Sequence, residues 1–374
     1  MNDLAWHCPT CPGRLEGSPH AWNCMECGAN FRALRGIPDL RTSEDQYLSN
    51  AKDWDIARKL DAEFDSRDFQ GLLDLHFDLS PEVSLKQRQS QINHIRTAPG
   101  RVTAWLDAVG SREGVILDLG CGSGSFLAAV GKDRRDLAGV DIAMRWLIVA
   151  RKRLDEEGLG SIPLACACAE RIPLRENCVG TVIAGDVIEH VGDQSATLSE
   201  VFRVLSPGGS LFLASPNRFS MAPEPHVGVW GVGFLPRRMM AAYVRHANGL
   251  DFRGIRTRGY VGWRSLLRRS PFGSGRISVP ALPDSDLIHF GSVKRSVARA
   301  YNRAVTMPIG QAMAKVIGPL FHMVCEKPKH HLSNPATRRD SMPSVRAPLS
   351  ARYQGIPRGT GDDRASSRTG GRVG

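Results

Sequence analysis

The stretch VILDLGCGSGSFLAAV, residues 115–130, constrains the fold of this chain more than any other feature. It begins as a short apolar run of the length of a buried strand and passes through a glycine-rich segment into a second apolar run. A buried strand that leads through such a turn into a helix is typical of an open α/β sheet with a ligand at the carboxyl ends of its strands. We therefore predict an α/β fold with a small-molecule site at this turn.

The spacing of the glycines separates this turn from two phosphate-binding motifs. Gly120, Gly122 and Gly124 alternate with other residues, whereas the dinucleotide motif has the order GxGxxG. A Walker loop is excluded because no Gly-Lys-Ser/Thr follows. Alternating glycines let the backbone approach a small ligand closely, and Asp118 before them can receive the positive end of that ligand.

Further strand and helix patterns follow at the spacing of an α/β protein. LAGVDIA is a short strand that ends at Asp141, where a carboxylate can accept both hydroxyls of a ribose. ACACAERIPL predicts a third strand, and GTVIAGDVIEHV predicts a fourth that ends in Asp186 and the pair Glu189 and His190. The helix, Pro-Gly-Gly turn and strand of EVFRVLSPGGSLFLASPN come next.

Over roughly residues 101–328, these motifs resemble the class I S-adenosylmethionine-dependent methyltransferases, especially the ubiquinone-biosynthesis type with its DxGxGxG, AExLP, EHV and LxPGG elements. The resemblance implies a Rossmann-like seven-stranded sheet and S-adenosylmethionine as cofactor. It places the glycine-rich turn around the methionyl part, Asp141 on the ribose, Ile142 against the adenine and Asp186 beside the cofactor. The family usually has an acid where this chain has Cys168, so Glu170 or the backbone is left to hold the adenine amine. The predicted cofactor-binding residues are Asp118, Gly120, Cys121, Gly122, Gly124, Asp141, Ile142, Ala169, Glu170 and Asp186.

Methyl transfer from a sulfonium needs positioning and a base more than further catalytic chemistry. His190, next to Glu189, follows the fourth strand, and His226 lies in an insertion after the fifth, two residues beyond Glu224. A histidine can remove a hydroxyl proton near pH 7. We therefore predict catalytic roles for His190, His226 and Glu189, although packing roles for the histidines stay open.

The predicted reaction is O-methylation of a small-molecule, lipid-linked or glycan acceptor, because the insertion mixes aromatic, glycine and proline residues with arginine. Two alternatives stay open. One is an RNA base methyltransferase. The Asp-Val-Ile-Glu-His segment disfavours it, because this segment differs from the Asn-Pro-Pro-Tyr type that holds a flipped base. The other is a non-catalytic adaptor that retains the cofactor fold.

Four cysteines near the N-terminus form two CxxC pairs, Cys8 with Cys11 and Cys24 with Cys27. Four thiolates at this spacing predict one structural zinc ion, because a closed four-thiolate shell has no position for substrate. Together with GANFRALRGIPDLR, the pairs resemble the zinc-ribbon family that activates tRNA and release-factor methyltransferases. That resemblance implies a partner role for the ribbon, with the rest of the same chain as a possible partner.

The expected organisation is a zinc ribbon (1–42), a helical linker or cap (43–100), a methyltransferase domain (101–331) with a substrate-cap insertion at about 218–270, and a disordered basic tail (332–374). The tail has eight arginines and three acidic residues, so about half of the formal charge of +11 lies there. Without a signal peptide, we expect a cytoplasmic protein. A helix is predicted over about residues 293–317, before a last strand at HMVCEKP. Residues 304–325 are apolar but interrupted by proline and glycine, which favours a core segment over a transmembrane helix, with peripheral membrane contact as a second possibility.

Overall fold

The computed structural model of the chain describes residues 4–81, 83–110, 113–134, 136–288 and 290–329. The predicted disordered tail, 332–374, lies outside these residues. Four short antiparallel strands make the N-terminal module: β1 (Leu15–Gly17), β2 (Ala21–Cys24), β3 (Asn30–Leu34) and β4 (Ile37–Pro38). Arg35 and Gly36, both with positive φ, form the tight turn between β3 and β4.

Three helices follow the N-terminal module: α1 (Asn50–Ala62), α2 (Phe69–Asp78) and α3 (Leu85–Val109). Each begins at a side chain that caps its first turn, namely Ser49, Asp68 and Ser84, and Ser84 with Gln87 forms a capping box. The range 43–100, for which the sequence predicts a helical linker or cap, contains α1, α2 and most of α3.

A seven-stranded sheet forms the centre of the protein, in the order β10-β11-β9-β8-β5-β6-β7. Within this sheet, the five strands that come first in the sequence are parallel: β5 (Ile116–Leu119), β6 (Leu137–Asp141), β7 (Leu164–Cys166), β8 (Val179–Gly185) and β9 (Leu205–Pro216). Between them lie α4 (Ser125–Val130), α5 (Met144–Glu156) and α6 (Gln194–Val204). The two remaining strands, β10 (Arg276–Ser278) and β11 (Leu320–Glu326), are antiparallel to their neighbours. The predicted Rossmann-like seven-stranded sheet is confirmed.

Alternate residues of the central strands pack into two separate cores. Leu117 and Leu119 of β5 contact one core, to which Trp6 and Leu40 of the N-terminal module also belong. Ile116 points to the other core, built with α1 to α5. Because both faces of the sheet are covered, ligands can reach the strands only at their ends.

The insertion after β9 forms a cap with its own small core. It contains α7 (Arg237–Asn248), and Val232, Met240, Val244 and Phe252 are buried together within it. Then come α8 (Tyr260–Arg269), α9 (Asp284–Leu287), α10 (Ser292–Ala304) and α11 (Pro308–Ile317).

One expectation about the last segment was wrong and another held only in part. The sequence predicted one helix over residues 293–317, but α10 ends at Ala304 and α11 begins at Pro308, because proline occupies a first helical turn readily and a helix interior poorly. The sequence also favoured a buried position for the apolar segment 304–325. Phe321, Met323 and Cys325 of β11 are indeed buried in the core, but Ile309, Met313 and Val316 of α11 are 76%, 58% and 62% exposed. Among the described residues, no helix has both the length and the apolar character needed to cross a membrane.

Candidate functional site

The glycine-rich turn follows β5 as the sequence predicts, and its three glycines all have positive φ: 79° at Gly120, 48° at Gly122 and 71° at Gly124. A side chain at Gly120 would place its Cβ 2.2 Å from Val187, so only glycine fits there. A Cβ at Gly122 would meet no atom within 4 Å, so the backbone of this residue borders open space. The turn therefore offers a ligand bare backbone on its outer side.

Asp118 lies beneath this turn at the end of β5 and is buried. Its Oδ2 atom has no hydrogen-bond partner among the described residues. Burial, and then the neighbouring Asp141 carboxylate, raise the pKa of Asp118 well above its usual value. A buried carboxyl oxygen without a partner is costly, and a cationic ligand group at this position would offset the cost.

Asp141, at the end of β6, is close to the same turn. Its Oδ2 accepts a hydrogen bond from the Gly122 amide at 2.9 Å, and its Oδ1 accepts one from the Ala143 amide at 2.8 Å. The carboxylate thus fixes the turn and the start of α5 at once. Its predicted contact with a ribose stays a prediction, and so does that of the half-buried Ile142 with adenine.

The loop that follows β7 carries predicted adenine contacts, and its side chains contact other residues of the chain. Cys168 has its sulfur 3.2 Å from the Ser43 hydroxyl, which belongs to the segment after the N-terminal module. Glu170 Oε1 accepts hydrogen bonds from the Gly192 and Asp193 amides, at 2.8 and 3.1 Å, and so ties this loop to the start of α6. Ala169 between them is half-buried.

S-adenosylmethionine fits the features of this edge. Its amino group matches the unpartnered Asp118 oxygen, and its methionyl part matches the open backbone at Gly122. Asp186, at the end of β8, has an unusual positive φ of 57° for a residue with a side chain, and strained backbone of this kind occurs at ligand sites.

Past the end of β8, the fold brings together the three predicted catalytic residues. His190 Nε2 and His226 Nε2 are 3.0 Å apart, and Glu189 Oε1 lies 3.9 Å from His226 Nε2. His226 Nδ1 is 2.6 Å from Glu224 Oε1 in the cap. The insertion therefore supplies one half of the cluster and the sheet supplies the other.

Burial determines the direction of the pKa shift at two of the three residues of the cluster. Burial, and then Asp186, raise the pKa of Glu189 to about 8. Burial, and then His226, lower the pKa of His190 to about 3. At His226 burial acts to lower the pKa, but the hydrogen bond and charge of Glu224 outweigh it, so the pKa is raised.

The four cysteines of the N-terminal module also come together. The sulfurs of Cys8, Cys11, Cys24 and Cys27 all lie within 4.8 Å of one another. Cys11 and Cys24 are 3.4 Å apart, and Cys8 and Cys27 are 3.8 Å apart. These separations suit four ligands of one tetrahedral ion.

Comparisons with known proteins agree with this geometry. Residues 117–213, from β5 into β9, match the family described as "Methyltransferase domain". We refer to the sheet and helices built around these residues as the methyltransferase domain, after this match.

The methyltransferase domain also has similar curated relatives. A probable S-adenosylmethionine-dependent methyltransferase of Mycolicibacterium smegmatis is 32% identical over 108 residues, 29% of this chain and 40% of that protein. The ubiquinone biosynthesis O-methyltransferase of Xanthomonas euvesicatoria is 26% identical over 184 residues, 45% of this chain and 74% of that protein. The chain thus spans less than half of the first relative, and the activity of the whole chain is a proposal.

Among solved structures, the phosphoethanolamine N-methyltransferase 2 of Haemonchus contortus, in complex with phosphomonomethylethanolamine and S-adenosylhomocysteine, is similar with a TM-score of 0.43. It is 15% identical, and the match covers 61% of this chain and 52% of the other.

Sequence reasoning missed Tyr47, which reaches the site of the methyltransferase domain from the segment before α1. Its hydroxyl lies 2.7 Å from His190 Nδ1, and Gln46 beside it donates a hydrogen bond to the His190 carbonyl. The signal that could have found this residue is an aromatic side chain in the polar stretch SEDQY, where no core position is expected.

Proposed function

We propose that the chain transfers a methyl group from S-adenosylmethionine to a hydroxyl of a small-molecule, lipid-linked or glycan acceptor, and that a lipid-linked acceptor fits best. The observation that carries the proposal is the cluster of His190, His226 and Glu189 beside the glycine-rich turn of a methyltransferase domain. Two imidazoles and a carboxylate at this edge suit the activation of a hydroxyl.

The bound cofactor supplies a methyl group on a positively charged sulfur, so that the O–CH₃ bond forms as the S–CH₃ bond breaks. The acceptor hydroxyl loses its proton to this cluster. Because Glu224 engages Nδ1 of His226, Nε2 of that ring is directed away from Glu224 and towards His190. The cap, which carries Glu224 and His226, then positions the acceptor and excludes water.

Exposed apolar side chains on α10 favour an acceptor with an apolar anchor. Val293 and Val297 of α10 are 77% and 64% exposed, and they recur at the spacing of one helix face. The same helix carries Lys294, Arg295, Arg299 and Arg303 and has no acidic residue. Exposed apolar side chains among cations suit the surface of a membrane with anionic lipids.

α11, which also has exposed apolar side chains, contacts the loop that leads into the cap. The carbonyl of Ile317, at the end of α11, accepts a hydrogen bond from the Met221 amide, and the Val316 carbonyl accepts one from the Asn217 side chain. The loop that begins at Asn217 leads to His226. A small cleft at the cap is lined by both polar and apolar residues, among them Arg218, Glu224, Met240 and Phe252. An acceptor held at the membrane surface would therefore meet the cluster at this end of the cap.

We also propose that Cys8, Cys11, Cys24 and Cys27 bind a structural zinc ion. The support is the close approach of the four sulfurs in a module whose own core is small. The module then serves to hold the segment with Tyr47 over the site.

The proposal is tested by incubating the full chain with S-adenosylmethionine that carries a deuterated methyl group and with separate lipid, aqueous and RNA fractions of a bacterial extract. Mass spectrometry should find the label on an alkali-stable ether in the lipid fraction. His226→Ala should lower the rate by a factor of about 10² to 10⁴ with unchanged cofactor binding. His246→Gln, an exposed change on α7, is the matched control. Label in RNA alone, or normal turnover by His226→Ala, would contradict the proposal.

A further inference from the structure

The cap is rich in arginine and has few carboxylates to balance the charge. Residues 218–270 contain ten arginines, two acidic residues and no lysine. Both acids already have partners, because Glu224 contacts His226 and Asp251 pairs with Arg253. In the described part of the chain, Arg253 alone among the cap arginines forms an ion pair with a carboxylate. The other cap arginines therefore carry charge that no acid of the protein offsets.

Five of these side chains form a group that we call the arginine cluster: Arg218, Arg237, Arg256, Arg258 and Arg269. Arg258 is half-buried, and its pKa is lowered by burial and then by the charges of Arg237, Arg269 and Arg256. The pKa of the half-buried Arg218 is lowered by burial and then by Arg237. These guanidinium groups are thus close enough to repel one another, and an anion between them would relieve the repulsion.

Backbone carbonyls hold the side chains of the arginine cluster in place. Arg218 donates from Nε to the Gly233 carbonyl and from Nη2 to the Leu235 carbonyl, both at 2.9 Å. Arg237 donates from Nη2 to the Thr257 carbonyl at 2.9 Å. These bonds fix the orientation of each guanidinium group without neutralising it. Because a guanidinium group has five N–H donors, each side chain keeps donors for a ligand.

The arginine cluster lies at the same edge of the sheet as the histidines. The Arg256 amide donates to the Glu189 carbonyl, after β8, at 2.7 Å. The Arg218 amide, directly after β9, donates to the Arg258 carbonyl at 3.2 Å. Two segments of the cap are thus joined to each other and to the loop that carries Glu189.

The small cleft at the cap connects the arginine cluster with the histidines. It is lined by Arg218, by Thr257, whose carbonyl holds Arg237, and by Glu224. Glu224 in turn contacts Nδ1 of His226 at 2.6 Å. A ligand that contacts Arg218 in this cleft therefore extends towards the residue that orients His226.

We propose that the arginine cluster binds a phosphate or diphosphate group of the methyl acceptor and so positions the acceptor hydroxyl at the histidines. Arginine suits this ligand better than lysine, because its planar guanidinium group donates two parallel hydrogen bonds to phosphate oxygens. The absence of lysine from residues 218–270 agrees with this selectivity. A phosphate group carries about 1.5 to 2 negative charges near pH 7, more than a carboxylate supplies.

That the bound group belongs to the methyl acceptor rests on the proposed function, whereas binding of a diphosphate does not. An acceptor with a phosphate or diphosphate between an apolar anchor and a hydroxyl-bearing part fits both the arginine cluster and the exposed apolar side chains of α10. A nucleoside diphosphate presents the same group on a soluble carrier, so the experiment compares the two carriers.

The site is tested by calorimetry on the full chain with inorganic pyrophosphate, and S-adenosylmethionine affinity is the check of folding. Wild type should bind one pyrophosphate per chain. Arg237→Gln and Arg258→Gln should each weaken binding about tenfold or more, because a charged hydrogen bond is lost. Arg258→Lys should also weaken it, because an ammonium group lacks the planar fork. Arg238→Gln, an exposed change at the next position of α7, removes the same charge from another direction of the helix and should bind as wild type.

Farnesyl diphosphate, uridine diphosphate and a single-stranded RNA identify the carrier, with S-adenosylhomocysteine present to fill the cofactor site. Farnesyl diphosphate should bind at least as tightly as pyrophosphate and lose affinity in the same variants. The proposal is overturned if wild type binds no pyrophosphate, if Arg237→Gln and Arg258→Gln bind it as tightly as wild type, or if RNA binds more tightly than either diphosphate. Tighter binding of uridine diphosphate than of farnesyl diphosphate would keep the diphosphate site and contradict the lipid-linked acceptor of the proposed function.

Discussion

Asp53 joins the N-terminal helices to the methyltransferase domain through a largely buried network of charges. Its Oδ2 accepts hydrogen bonds from Arg41 at 2.8 Å and from the Met144 amide at 2.9 Å, and its Oδ1 accepts one from Arg145 at 2.6 Å. The side chains of Asp53 and Arg41 are 0% and 1% exposed. The carboxylate also lies at the first turn of α5, where the helix dipole favours a negative charge.

The substitution Asp53→Asn keeps the shape of the side chain and removes its charge. One oxygen becomes an NH₂ group that faces donors, so two guanidinium groups lose their shared anion. Loss of one partner of a buried ion pair costs about 3 to 5 kcal/mol. The lower end of this range applies here, because Arg41 keeps its ion pair with Asp39 at 2.8 Å and the side chain of Arg145 is 15% exposed. For a protein of this size, about 3 kcal/mol corresponds to a fall of roughly 6 °C in the melting temperature.

The assay is thermal unfolding of the full chain followed by circular dichroism, for wild type, Asp53→Asn and Asp55→Asn. Asp55 lies on the same helix but is exposed and pairs only with Arg58 and Lys59 on the surface. Asp55→Asn should therefore leave the melting temperature unchanged within error. If Asp53→Asn has the same melting temperature as wild type, the buried network does not stabilise the contact between α1 and α5, and the reasoning is refuted.

Two further predictions concern the N-terminal module and the proposed membrane contact of α10 and α11. The double substitution of Cys24 and Cys27 by serine should release zinc and unfold the module, while the methyltransferase domain still binds S-adenosylmethionine. If metal analysis of this variant still finds one zinc ion per chain, the four-cysteine site is wrong. Val297→Asp with Met313→Asp should abolish flotation of the protein with phosphatidylglycerol vesicles, whereas Leu85→Asp, at an equally exposed apolar position on α3, should not. Equal flotation of both variants would remove the proposed membrane surface.

The parts of the site that sequence predicted are those determined over short stretches of chain. The turn after β5 needs its glycines because their backbone has positive φ, and a strand that ends in Asp141 places a carboxylate beside that turn. The spacing of two CxxC pairs likewise determines which sulfurs can meet. Glu224 and His226 pair across two residues, a contact that their neighbouring prolines favour.

Contacts between distant segments could not be predicted, because they are not determined by a short stretch of the sequence. Tyr47 and His190 are 143 positions apart, and no pattern in the polar segment before α1 indicates where that segment docks. The exposure of Met313 was also mispredicted, because an apolar helix face shows that it avoids water without showing which surface covers it. The break between α10 and α11 could have been found from Pro308.

Binding of S-adenosylmethionine to the full chain, measured by calorimetry, tests the central claim most directly. We expect one molecule per chain, and at least tenfold weaker binding by Asp141→Ala, because a charged acceptor worth about 1.5 to 3 kcal/mol per hydrogen bond is lost. Asp155→Ala, at the far end of α5, is the matched control and should bind as wild type. No binding by the wild-type chain, or equal affinity of wild type and Asp141→Ala, would contradict the account.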